Sequence, residues 1–203
     1  HRFMNVPLYL FLSVLFWHAI TLQYGYYKEH IEDFERRQLL AGAFKWLNSN
    51  SNNEDVILTS IWDIWVSERV SINTKNYVYF SETFFTSASL LPKEETQERF
   101  LAAARFFNLS LEELRGHRFF NDGGIFVAAS DNLGPSYIKR EQKFLEETYS
   151  LFLKSKPLSL VKKYRVNYLL VSVKDEDEMR KREAVYPGLV EVYRDKQYKI
   201  YQF

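Results

Sequence analysis

Trp62, Asp63, Trp65 and Glu68 stand together in the stretch SIWDIWVSER, directly after the apolar run VILTSI, Val56–Ile61. Tryptophan rings stack on the apolar faces of sugars and carboxylates accept hydrogen bonds from hydroxyls, so this combination suits carbohydrate recognition. The β-branched run reads as a strand buried on both faces, which puts the four residues near its carboxyl end, where open α/β sheets bind ligands. Two tryptophans three apart also suit a core face or a membrane-surface anchor, and both readings stay open. Trp62, Asp63, Glu82 and Arg99 form the candidate ligand-binding set.

Other chemistry is hard to find. The paired glycines of NDGGIF lack the Gly-x-Gly-x-x-Gly or Gly-Lys-Ser/Thr spacing that wraps a phosphate with backbone amides, so they read as a turn. His1, His18, His30 and His117 are scattered and offer no metal-ligand spacing. No serine sits in Gly-x-Ser-x-Gly, and the acidic run KDEDEMRKRE lacks the glycine and oxygen spacing of a calcium loop, so a solvated helix start explains it better. With no cysteine in the chain, thiol catalysis and cysteine-bound zinc are excluded. The sequence assigns no catalytic residue, metal ligand or cofactor.

A chain of 203 residues is long enough to bury a core without disulfides or metals. Twenty-seven basic against twenty-six acidic residues leave a formal charge of +1, too little for a global field that attracts nucleic acid, so no nucleic-acid partner is expected. Aromatic residues are frequent, with seventeen Phe, fourteen Tyr and four Trp, and many crowd the N-terminal end. There, FMNVPLYLFLSVLFWHAITLQYGYY, residues 3–27, carries no charged side chain. A helix of that length matches a hydrocarbon core of about 30 Å, and Tyr24, Tyr26, Tyr27 and Lys28 make an aromatic and basic collar. Residues 1–27 therefore read as a transmembrane helix. Ser13, His18, Thr21 and Gln23 fit best inside a bundle. The chain begins at His1 and reads as the tail of a longer protein. Arg2 ahead of the run against Lys28, Arg36 and Arg37 behind it would favour a cytoplasmic C-terminal part.

Residues 28–203 read as a soluble α/β domain. A helix over 28–47 leads from the membrane, and strands follow at VILTSI and NYVYFSE. KEETQERFLAAARFF places Phe100, Ala103, Ala104 and Phe107 on one helical face. Ser110, or Asn108, caps a short helix with Glu113 and ends it at Gly116. GIFVAAS is a further candidate strand. YIKREQKFLEETYSLFLKS predicts a helix with Ile138, Phe144, Leu145, Tyr149 and Leu151 on its apolar face. LSLVKKY approaches the buried strand RVNYLLVSV, DEDEMRKREAV forms a helix, and GLVEVYRD with QYKIYQF closes a hairpin around Asp195 and Lys196. The expected fold is a Rossmann-like α/β/α domain with a C-terminal β-hairpin behind a transmembrane helix.

This order, with FKWLN, EDVILTS, QERF and LVKKYRVNYLLVSV followed by YPGLVEVYRDKQYKIYQF, resembles the C-terminal soluble domain of polytopic prokaryotic membrane glycosyltransferases of the C-type fold, or of related uncharacterised membrane proteins. The features that carry the likeness are Lys163-Tyr164, Val166-Asn167-Tyr168, Pro187, Val192-Tyr193 and Ile200-Tyr201, with Asn167 standing where Asp is frequent. The resemblance covers roughly residues 36–203. It implies a multi-pass cell-membrane enzyme that transfers sugar from a polyprenyl-phosphate donor to a glycan or lipid acceptor. This domain would then be extracytoplasmic, an implication given more weight than the local charge count. It also implies catalytic acids in loops upstream, so none is carried over to these residues. The competing expectation is a non-enzymatic, membrane-anchored binding or assembly module in contact with lipid; a soluble nucleotide-binding enzyme ranks behind both.

Overall fold

In the computed structural model, residues 5–81, 92–124, 134–184 and 188–203 are described. Two compact units result, residues 1–41 and 42–203. Helix α1 (Asn5–Asn50) contributes to both, so the change from apolar to charged composition near Tyr27 interrupts no helical hydrogen bonding.

Within the first unit, the side chains described are those of residues 11–28, 31 and 34–41. Phe34 stacks on Tyr27 at a centroid distance of 5.6 Å, and the Arg37 guanidinium lies 5.9 Å from the Phe34 ring. Thr21 Oγ1 donates back to the Trp17 carbonyl at 2.8 Å, which removes one exposed polar group from the helix surface. Among the described residues, no helix is long and apolar enough to cross a membrane.

The second unit is built on a mixed sheet. The apolar runs predicted as buried strands form β1 (Val56–Thr59) and β3 (Val166–Ser172), which pair in parallel. The NYVYFSE segment supplies only β2 (Tyr77–Val78), parallel to β1 on its other side. The C-terminal hairpin is β4 (Val190–Arg194) and β5 (Tyr198–Gln202), with β5 antiparallel to β3, giving the order β2-β1-β3-β5-β4. The expected parallel pattern therefore covers β2, β1 and β3, and the hairpin makes the sheet mixed. Asp195 closes the hairpin by accepting from the backbone N–H groups of Gln197 and Tyr198 at 2.8 and 2.7 Å.

In the central strands β1 and β3 both faces are buried, as side-chain alternation requires of strands with apolar residues at successive positions. Leu58, Leu169 and Val171 join the main core with Phe100, Leu101, Phe106 and Phe107 of the segment around α3 (Lys93–Phe106). Ile57, Tyr168, Leu170 and Ile200 point the other way and are equally buried. There Trp46, near the end of α1, meets Tyr168 edge-on at 5.7 Å, and the Tyr193 hydroxyl lies close against Gly42, where a Cβ would displace it. The helix after β1 is α2 (Ile64–Asn73).

Sequence signals place the remaining elements. Ser110 caps α4 (Leu111–Gly116) with the full reciprocal capping box to Glu113. Asn108 instead ends α3 in the left-handed conformation, at φ 54°, with the Leu109 N–H reaching back to the Ala104 carbonyl. After α5 (Arg118–Asn121) comes α6 (Pro135–Phe152), whose buried face is a narrow stripe of Glu141, Leu145 and Tyr149. Phe144 and Leu151, expected on that face, are exposed. Helix α7 (Pro157–Lys162) leads to β3, and α8 (Val173–Lys181) follows it directly. The candidate strand GIFVAAS and Pro187 lie outside the described residues.

Candidate functional site

The carboxyl ends of β1 and β3 lie side by side, and the chain leaves β1 for β2 on one side before returning to place β3 on the other. Open sheets take ligands in the crevice beyond the strand ends at such a reversal of winding. Four polar residues furnish it. Ser60 follows β1 and accepts the Trp62 N–H at 3.1 Å. Asp63 is the residue before α2, and its carboxylate makes no capping hydrogen bond. Ser172 ends β3 and caps α8, its Oγ accepting the Asp175 N–H at 3.0 Å.

Asp175 joins the two strand ends. Burial pushes its carboxyl pKa up, hydrogen bonds from Ser172 and Ser60 oppose that, and the neighbouring negative charge of Asp63 raises it further. The net shift favours the neutral acid form of Asp175 relative to a free aspartate. Two carboxyls and two hydroxyls in one crevice can exchange hydrogen bonds with a hydroxyl-bearing ligand, and Asp175 can hold or release a proton there. Among the described residues, no group of three or more metal-ligating side chains comes together.

Trp62 and Asp63 therefore lie at the strand end anticipated from the sequence, but the tryptophan is already engaged. Its ring packs 5.1 Å from Phe107, and the Arg182 guanidinium lies 5.5 Å from its centroid. Arg182 is in turn paired with Glu113 at 2.6 Å, and its carbonyl accepts from Asn108 at 2.7 Å. Trp62 thus couples the crevice to the core and presents less free ring than its sequence context suggests.

Arg99 does not join Trp62 and Asp63. Its guanidinium donates to Glu95 Oε1 at 3.0 and 2.7 Å and to the Tyr79 carbonyl at 3.1 Å, and lies 4.6 Å from the Tyr164 ring. These partners fasten α3 to the chain after β2. Glu82 lies outside the described residues. His117 is near the crevice, but its Nε2 is 3.2 Å from the Ile61 carbonyl and its Nδ1 accepts the Phe119 N–H at 3.3 Å, so the ring is held by backbone on both nitrogens.

Sequence reasoning missed Ser60, Ser172 and Asp175. One local signal was present: Ser172-Val173-Lys174-Asp175 has the Ser-x-x-Asp spacing of a helix cap, immediately after an apolar strand. The acidic run is also less solvated than its composition implies, since Glu176 is buried and bonded by Lys199, Tyr201 and Arg180.

Comparison with protein-family models, curated proteins and solved structures found no match to this chain. The fold and the crevice define a class, a mixed α/β domain with a polar crevice where the winding of its parallel strands reverses.

Proposed function

We propose that this chain is the membrane-anchored C-terminal part of an integral-membrane glycosyltransferase using a lipid-linked sugar donor. Its Rossmann-like α/β unit is an extracytoplasmic accessory domain that positions substrate, and bond transfer is performed by acids upstream. The observation that carries the membrane anchor is the exposure of large apolar side chains along α1: Phe11, Val14, Phe16, Trp17 and Leu22 are 61, 66, 70, 72 and 61% exposed. At about 100° per residue these positions surround the helix, and a helix apolar all round belongs inside a protein or a bilayer. No helix among the described residues is long and apolar enough to cross a membrane, so the anchor rests on this exposure and on the absence of charged side chains from residues 3–27.

A second reading, a membrane-anchored binding or assembly module without enzymatic activity, is favoured by the crevice itself. It offers carboxyls and hydroxyls, and the nearby imidazole is committed to backbone.

Carbonate extraction of membranes carrying the full chain tests the anchor. The expected result is retention in the membrane fraction; release would sink this reading. Because the chain has no native cysteine, single cysteines placed at Ser13 and Lys196 then report burial and side of the membrane without background labelling. The coding region upstream of His1 separates the two functions. Further spans with an acidic outer loop support the transferase, whereas initiation at Met4 removes it.

A further inference from the structure

Residues 151–165, LFLKSKPLSLVKKYR, run from the end of α6 to the start of β3 and hold five cations and no acid. The fold sorts their apolar side chains into two sets. Val161 of α7 is fully buried, and Phe152, Leu158 and Leu160 pack against the same core. Leu151 and Leu153 are left outside, 63% and 39% exposed. Backbone turns fix them there, with the Leu153 N–H donating to the Tyr149 carbonyl at 2.9 Å and the Lys154 N–H to the Leu151 carbonyl at 3.1 Å.

The cations are equally outward. Along α7 the exposed positions are Lys156, Ser159, Lys162 and Lys163, the spacing of one helical face. Arg165 follows in a tight turn, at φ 56°, its N–H donating to the Lys162 carbonyl at 3.0 Å. Lys163 is neutralised by Glu98 at 2.5 Å. Lys154, Lys156, Lys162 and Arg165 are exposed and form no ion pair among the described residues. Four uncompensated cations therefore accompany two outward leucines on one short stretch of chain.

That composition selects a ligand. Leucine side chains can enter the acyl boundary of a bilayer while neighbouring ammonium and guanidinium groups meet anionic headgroups. A protein partner fits less well, because protein interfaces are depleted in lysine and their binding energy is concentrated in tryptophan, tyrosine and arginine. We propose that the face formed by Leu151, Leu153, Lys154, Lys156, Lys162 and Arg165 docks on a bilayer surface of anionic phospholipid. This contact is separate from α1 and from the crevice at Asp63 and Asp175, and it does not rest on the transferase reading.

The test uses the full chain and its lack of cysteine. Leu151→Cys, labelled with an environment-sensitive fluorophore, is read in vesicles of phosphatidylcholine alone and of phosphatidylcholine mixed with phosphatidylglycerol. Ile72→Cys, at a position 56% exposed on α2, is the control. A blue shift at Leu151→Cys in the anionic vesicles only, reversed by high salt and absent from the control, is expected. Lys154→Gln combined with Lys162→Gln should lower the ratio of docked to undocked label by about twenty-fivefold, at about fivefold for each lysine. All these side chains are exposed, so the substitutions leave the core untouched.

Emission that is the same in both vesicles, that salt leaves unchanged, or that shifts equally at Ile72→Cys would overturn the proposal. Flotation of the same samples reads the α1 anchor separately. A chain that floats with both vesicles and shows no shift keeps the anchor and rejects this face. A chain that floats only with anionic vesicles and leaves them in salt supports this face and rejects the anchor.

Discussion

Lys199 of β5 and Glu176 of α8 form an ion pair in which the two side chains are only 8% and 5% exposed. Burial alone would push the Glu176 pKa up, yet hydrogen bonds from Lys199, Tyr201 and Arg180 outweigh it and hold the carboxyl at about 2. Removing one partner of a buried pair leaves the other charge uncompensated, which costs about 3–5 kcal/mol. Glu176→Gln is expected to destabilise the fold by that order in urea melts, and Lys199→Met with Glu176→Leu together should recover much of the loss. Because the folded pKa is depressed, this contribution is present above the ordinary value of 4.5 and is lost as pH falls from there toward about 2.

Asp175 has the opposite sign. Its folded pKa is raised by burial, so the wild-type fold is favoured below the ordinary value of 3.8 and loses that contribution as pH rises through the raised value. Asp175→Asn, which still accepts from Ser60 and Ser172, should melt at a higher temperature than the wild type near pH 7 and show no gain near pH 3. A lower melting temperature at neutral pH would mean that the ionised carboxylate is stabilised by the crevice.

Burial lowers the pKa of His117 below its ordinary 6.5, against the opposing hydrogen bond to the Ile61 carbonyl. The neutral ring is therefore favoured in the fold. Stability is complete above 6.5 and declines as pH drops from 6.5 toward the lower folded value. His117→Gln should flatten that segment of the stability profile, measured by thermal melts across the window, without altering the loss below 4.5 that belongs to Glu176.

The parallel ladder slips register between Val56 and Ile57, and Asn167 Oδ1 accepts the Val56 N–H at 2.9 Å at that point. Asn167→Ala leaves a partly buried donor without its acceptor, at a cost of about 1–3 kcal/mol. Asn167→Asp retains an acceptor oxygen and should be close to wild type in the same denaturant melt. Equal losses for both variants would show that the amide N–H₂ matters more than the oxygen.

Much of this architecture was legible because local and global signals agree. β3 announces itself as an uninterrupted apolar run, α3 by its buried face, and α4 by the Ser110 and Glu113 capping box. The continuity of α1 past Tyr27 was not legible, because backbone hydrogen bonding is indifferent to the change in side-chain polarity that suggested a boundary. Phe144 and Leu151 fit the helical period yet lie beside the buried stripe, since periodicity gives spacing and not the width of the covered face. The crevice was half visible: Trp62 and Asp63 follow β1 in sequence, whereas Asp175 reaches Ser60 only through the pairing of strands more than a hundred residues apart. Arg99 was misleading for a local reason, as its i−4 neighbour Glu95 and the Tyr79 carbonyl already hold it.

The seven residues of β3 need partners from far upstream and from the later hairpin; Val56 and Asn167 alone are 111 positions apart. Contacts of such separation form late in folding. Until they do, VNYLLVS is an uncharged segment of high β-propensity, the kind that seeds intermolecular strand stacking. Lys162, Lys163 and Arg165 on one side and Lys174, Asp175 and Glu176 on the other act as gatekeepers, disfavouring association of identical chains during the interval before β1 and β5 arrive.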